Sequence, residues 1–265
     1  MGGLARRAGL FKELRGDGVP LLVLVGADEF LSDGLSPTGA IMMLSGKEVP
    51  ASEKLATPIY PAREKAAPSL AAYNYLKVDA GRISAFTAGW LKKSAGSIPA
   101  GFSVVDDSPV SVTLATSAGP VGVVFFPTGK GLGRAPTDDQ FAETIKTGYK
   151  LKQNCALVIG ISPWGMQAEQ KFLPKAQGIF DSLLGSGEGP AFGQSSNAKA
   201  PGVLWSRADV NGRAVNLIEI FELPQQGQAG DWLEGVTFKA SLTYLEGKQA
   251  PDHGMIKIVG EQPKE

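Results

Sequence analysis

The stretch Ala156-Leu157-Val158-Ile159-Gly160-Ile161-Ser162-Pro163-Trp164-Gly165 sets the fold class. Its first six residues carry no polar or charged side chain, so a strand here is apolar on both faces. Strands of that kind lie inside parallel sheets that are covered on both sides. Ser-Pro-Trp-Gly then stops the run. Upstream, Thr137 with Gln140 three residues on forms a capping box and predicts a helix to about Gln153. Downstream, Gln167 to Gln177 reads as a helix disturbed at Pro174, and Phe180 to Leu184 as the next strand. Helix–strand–helix–strand with short connections is an α/β pattern.

Working outward, Phe102–Val105, Val110–Ala115 and Val121–Phe126 read as strands with Ser-Pro and Ala-Gly-Pro turns between them. Toward the start, residues 4–16 form an amphipathic helix with Leu4, Leu10, Phe11 and Leu14 on one side, ended by Gly16 and Gly18. Leu21 to Val25 is a second buried apolar run after Pro20. Residues 26–62 have no clear period and read as a long excursion. A helix over 64–77, a strand over 78–84 and a helix over 88–94 follow. Beyond the glycine-rich loop 185–193, Val203–Trp205, Arg213–Leu223 and Thr237–Leu245 read as strands, partly alternating, which suits antiparallel pairing. His253 lies in Pro-Asp-His-Gly, read as a solvated turn. The expected architecture is α/β: two stacked mixed sheets with helices outside. Residues 1–223 make the main domain. Residues 224–265 add a connecting loop and terminal strand packed on it.

Composition narrows the function. The chain has 265 residues, 43% of them hydrophobic and 20% charged, enough for a sizeable core. Lys and Arg number 26, and so do Asp and Glu, so no whole-chain field attracts nucleic acid. A single cysteine excludes a disulfide within the chain and an all-cysteine zinc site, and a single histidine leaves few imidazoles for a metal or a triad. No run of about eighteen apolar residues could span a bilayer, and the start lacks the apolar segment of a signal peptide.

Four loops leave the carboxyl ends of the expected strands, where α/β sheets build sites. Gly26-Ala27-Asp28-Glu29-Phe30 puts a carboxylate just past a buried strand, suited to a metal or a general base, though a helix-capping or turn aspartate is the plainer reading. Arg82, in Asp79 to Ser84, could fork onto a phosphate or carboxylate; a solvated surface arginine is the plainer reading. Ser162 lacks a histidine partner. Trp164 could stack on a flat ligand or cover the strand ends. Gly185-Ser186-Gly187-Glu188-Gly189-Pro190 could bring backbone amides to an anion or make a tight turn. Thr128 to Gly133 does not match a phosphate-loop pattern. Cys155 reads as a small buried hydrophobe.

Together these loops resemble the calcineurin-like metallophosphoesterases, especially their 5'-nucleotidase branch. Gly2 to Leu10 is similar to the helix after that branch's first metal motif. Leu21 to Phe30 is similar to the strand ending in Ala-Gly-Asp-x-Phe, with Asp28 on the metal-bridging aspartate and Ala27 in place of a glycine. Val158 to Gly165 resembles the strand ending in Ser-His-x-Gly, with Pro163 for the histidine. Asp181 to Gly189 resembles the strand ending in Gly-Gly-His-x-His, with Gly187 and Gly189 for both histidines. Arg82 to Phe86 offers neither the asparagine nor the histidine of Gly-Asn-His-Glu. Val203 to Ile220, with Asn211-Gly212-Arg213, matches the closing strands.

The resemblance implies a four-layer α/β/β/α sandwich and, in the family, two divalent metals that activate water against a phosphoester. Here it implies no metal cofactor and no catalytic residue, because Asp28 alone matches a family ligand. The expected protein is a catalytically inactive binding or assembly module, with cleft candidates Asp28, Glu29, Phe30, Arg82, Ser162, Trp164 and Glu188. The alternative is a phosphoric-ester hydrolase completed by an upstream segment or an atypical metal site. A third reading gives redox work to Cys155 or to upstream cysteines. The family's first strand, with its Asp-x-His, would precede residue 1. Without it a sheet edge is exposed, which implies a protein partner or homodimer pairing there, with no nucleic acid and no membrane span. The branch also implies a periplasmic or exported protein.

Overall fold

The computed structural model describes residues 3–26, 65–130, 135–195, 202–208, 214–245 and 249–260. Helix α1 (Leu4–Gly16) leads to β1 (Leu24–Val25). Then come α2 (Ala66–Leu76), β2 (Ala80–Ile83), α3 (Ala85–Ala95) and β3 (Phe102–Val104). The antiparallel hairpin β4 (Val110–Thr116) and β5 (Gly119–Phe125) precedes α4 (Asp138–Lys152), β6 (Leu157–Ser162), α5 (Met166–Ala176) and β7 (Ser182–Gly185). The chain closes with β8 (Phe192–Ser195), β9 (Leu204–Arg207), β10 (Ala214–Ile220), β11 (Phe238–Tyr244) and α6 (His253–Val259).

Local chemistry explains most boundaries. Thr137 and Gln140 make the expected capping box at α4. Ser84 caps α3 by accepting from the Thr87 N–H, and Gly96 ends that helix at φ +85°. Helix α5 runs through Pro174 to Ala176, because the proline falls in its last turn, where only one hydrogen bond is lost.

Among the described residues the strands form three sheets: parallel β1-β2-β3, antiparallel β10-β11, and a six-stranded mixed sheet ordered β4-β5-β6-β7-β9-β8. Three apolar clusters show how these stack. One lies between α1, α2, α3, α6 and the small parallel sheet, centred on Tyr73, Leu76 and Leu91. A second lies between the two main sheets, through Val105, Val123, Phe125, Leu157 and Ile159. A third lies between the six-stranded sheet and α4–α5, through Phe126, Phe172, Phe180 and Trp205. The order is helix, sheet, sheet, helix, which is the expected four-layer sandwich. Strands β5, β6 and β7 pair in parallel with apolar residues on both faces, as the opening stretch required.

Two elements depart from the sequence reading. Strand β8 falls in the glycine-rich segment taken as loop; its pairing with β9, not its composition, makes it a strand. Helix α6 begins where a turn was expected. Asp252 caps it, accepting from the Met255 N–H at 2.8 Å and from the Tyr75 hydroxyl at 2.9 Å, while its own N–H donates to the Ala5 carbonyl at 2.8 Å. His253 is exposed, as expected. In α1, Ala5 and Ala8 are buried with Leu10 and Phe11, while Leu4 and Leu14 are only partly covered. Small residues let α1 approach closely: a Cβ on Gly9 would collide with the Ala250 carbonyl oxygen.

The Met255 N–H bond, with help from Tyr75 and Lys12, holds the Asp252 carboxyl below its usual range. A depressed carboxylate contributes stability above its unfolded value of about 4 and loses it as pH falls through the folded one. Asp252→Ala is expected to cost about 1 kcal/mol at neutral pH. That cost should shrink in acid. Denaturant titrations at pH 7 and below pH 4 check this; a pH-independent cost would refute the assignment.

Candidate functional site

Strands β6, β7 and β9 run parallel and end on the same side of their sheet; Ser162 ends β6, Trp164 and Glu188 lie in the loops after β6 and β7, and Arg82 lies within β2. Ser162 ends β6 and is buried. Its hydroxyl accepts from the Trp164 N–H at 3.1 Å, closing a small turn. Its carbonyl accepts from both the N–H and the hydroxyl of Ser186 at 2.9 Å, joining the β6 and β7 loops.

Trp164 is 7% exposed and belongs to the core. Its ring lies 4.6 Å from Phe126, 5.1 Å from Phe141 and 5.4 Å from Phe172. The indole N–H donates to the Pro127 carbonyl at 2.7 Å. Both ring and polar handle are engaged in packing contacts, as in the second of the two readings above.

Arg82 corrects the solvated reading. It is 4% exposed, not solvated, because β2 is a buried strand. Its Nη2 donates to Thr128 Oγ1 at 3.1 Å and to the Val105 carbonyl at 3.4 Å, across the seam between the sheets. Thr128 also bonds through its N–H to the Asp106 carbonyl, and Lys130 pairs with Asp107 at 2.9 Å, so this neighbouring loop is tied down. Glu188 is exposed, but its backbone carbonyl is used internally. Asp28, Glu29 and Phe30 lie outside the described residues.

The site's central feature was not anticipated. Arg207 ends β9 and Glu169 sits on α5; both are fully buried and paired through Nη1 and Oε2. The Trp205 indole N–H donates to the same Oε2 at 3.1 Å. Burial pushes the Glu169 carboxyl up, and the Arg207 guanidinium, Trp205 and Ser162 pull it back down. The remaining Arg207 N–H groups donate to the β7 loop: Nη2 to the carbonyls of Ser186, Gly187 and Glu188 at 2.8–3.1 Å, and Nε to that of Pro190 at 3.2 Å. One signal was legible. Glu169 shares the α5 stripe with Phe172, Leu173 and Ala176, so an acid stands on an apolar face.

Cys155 is buried against the third cluster, and burial pushes its thiol up, against weaker pulls from Thr113 and Lys152. A shielded thiol with a raised pKa is a poor nucleophile, so the redox reading has no support from this residue.

Two metals do not fit the described strand ends. Pro163, Gly187 and Gly189 offer no side-chain donors, Glu169 is paired through Oε2 with Arg207, and the β7 loop adds a single exposed carboxylate, Glu188. Among the described residues no three of His, Cys, Asp and Glu are grouped to hold an ion. No helix among them is long and apolar enough to cross a membrane.

The layered arrangement and the loop order define the class: this is the calcineurin-like phosphoesterase fold. The chain is similar to the calcineurin-like phosphoesterase YfkN from Bacillus subtilis, with TM-score 0.66 and 14% identity over 97% of this chain and 87% of that one. It is also similar to the NAD nucleotidase NadN from Haemophilus influenzae, with TM-score 0.54 and 12% identity over 98% of this chain and 55% of that one. No protein-family model and no curated protein sequence matches it.

Proposed function

We propose that this protein is a binding or assembly module on a metallophosphoesterase-like scaffold, without phosphoesterase activity of its own. One observation carries the reading. Glu188 apart, whose side chain is exposed, the groups that could do chemistry at the ends of β6, β7 and β9 are bonded internally: Ser162 to Trp164, Trp164 to Pro127, and Glu169 to Arg207. A general base or metal ligand needs a free lone pair facing the cleft, and these side chains turn theirs inward. The phosphoesterase and nucleotidase neighbours favour a phosphoric-ester hydrolase as the second reading, with Asp28 its first candidate ligand. Among the described residues β1 pairs only with β2, which supports a strand-pairing partner or second copy at that edge. Periplasmic or exported placement rests on the sequence resemblance.

The test is metal content by elemental mass spectrometry, after dialysis with manganese and zinc, together with hydrolysis of 5'-AMP and p-nitrophenyl phosphate. Substoichiometric metal and no turnover are expected. One or two ions per chain with turnover abolished by Asp28→Ala would overturn the proposal.

A further inference from the structure

We infer that Arg207 is the cation about which the Gly185–Pro190 loop is built, in place of bound metal. The inference rests on the reading above that the strand ends hold no metal centre. It explains why a loop that resembles a metal-binding one keeps its fold.

Four carbonyl oxygens, from Ser186, Gly187, Glu188 and Pro190, converge on one guanidinium, and a Glu169 oxygen completes the set. Carbonyls and a carboxylate are the donors that a hard cation takes. Gathered without a positive charge, their negative ends repel, and the carbonyls of Gly187 and Pro190 and the Glu169 oxygen lose a donor, although Ser186 and Glu188 keep backbone N–H partners in Gly165 and Met166. A guanidinium answers this with donors held in a planar fork. Arg207 is delivered there by β9, which pairs in parallel with β7, so the charge is fixed by the sheet.

The glycines are explained by the same arrangement. A Cβ on Gly185 would collide with the Glu169 carboxylate, and one on Gly187, at φ +77°, would meet the Pro163 carbonyl oxygen at 2.8 Å. Gly189, at φ +120°, has the Met166 side chain 2.7 Å from a Cβ position. The glycine-rich composition thus follows from tight packing of the loop against the Arg207–Glu169 pair, the β6 loop and the start of α5. It does not require an approaching anion. The loop in turn anchors α5, because the Met166 N–H donates to the Glu188 carbonyl at 2.8 Å.

The experiment uses the full chain and the variants Arg207→Ala and Arg207→Lys. In the native protein, EDTA should leave Tm and the hydrogen-exchange protection of amides 185–190 unchanged. Arg207→Ala leaves an oxygen-lined cavity with a buried carboxylate, and Tm should fall by roughly 10 °C. Tens of millimolar guanidinium should raise that variant's Tm by several degrees, where sodium chloride at equal ionic strength does not. Should Arg207→Ala fail to fold, Arg207→Lys supplies the test. It keeps the charge and loses the fork, so it should fold with reduced protection confined to residues 185–190. Loss of native loop protection in EDTA would overturn the inference. So would an Arg207→Ala protein as stable as the native one, rescue of that variant by sodium as well as by guanidinium, or unchanged loop protection in Arg207→Lys. These failures are separable from failure of the proposed function, which is read from metal content and turnover alone.

Discussion

Lys152→Met is expected to destabilise the protein by about 3–5 kcal/mol, because it strands a buried carboxylate. Lys152 Nζ donates to both oxygens of Asp181 at 2.7 Å, and neither residue is more than 2% exposed. The Val158 N–H adds a third bond at 2.8 Å. Burial already pushes the Asp181 carboxyl up, and Lys152 is its largest opposing influence. Without the ammonium, the folded value rises further above the unfolded one. Stability of the variant then falls as pH rises through that raised value. The deficit should therefore be smaller near pH 5 than near pH 8. Lys152→Met/Asp181→Leu removes the stranded charge and should recover a large part of the loss. Urea unfolding midpoints of the three proteins at two pH values check this. A deficit under about 1 kcal/mol, or one that grows in acid, would refute it.

Phe172→Ala is expected to cost a comparable 3–5 kcal/mol, by a different route. Phe172 is fully buried on α5 and meets Phe126, Phe141, Trp164 and Phe180 at ring-centre distances of 4.9–5.7 Å. Edge-on and tilted aromatic pairs add about 0.5–1.5 kcal/mol each to the area they bury, and the void left by a ring cannot close fully. The near-ultraviolet circular dichroism should weaken as well, because Trp164 loses a neighbour. Phe221→Ala is the control. That side chain is 55% exposed, and its loss should stay within about 0.5 kcal/mol. If the two variants unfold alike, the α4–α5 side is not the packed core described.

Much of the fold was legible because it rests on local signals. The capping box at Thr137 and Gln140, the apolar runs ending at Val25 and Ile161, and the turn glycines each fix an element without reference to distant residues. The layering followed from strands with two apolar faces. Helix α6 was missed because it has only seven residues and depends on Asp252 meeting Ala5 and Tyr75, far away in sequence. Strand β8 was missed because its pairing partner, not its glycine-containing sequence, makes it extended.

The site was less legible. Asp28, Glu29 and Phe30 lie outside the described residues. Of the others, Ser162 is buried in a small turn, Glu188 faces solvent, and Trp164 and Arg82 are inside. Side-chain type says that an arginine can hold an anion; it does not say which way the strand faces it.

What the sequence determined by itself was the alternation of elements and the buried parallel strands. These are matters of composition and short-range period. The tertiary structure alone decided that Arg207, 38 residues from Glu169, closes against it beneath the β7 loop. The same holds for Lys152 and Asp181, 29 residues apart. Such pairs form because parallel crossovers bring distant strand and helix ends together in a place without water, where each charge can persist only beside the other.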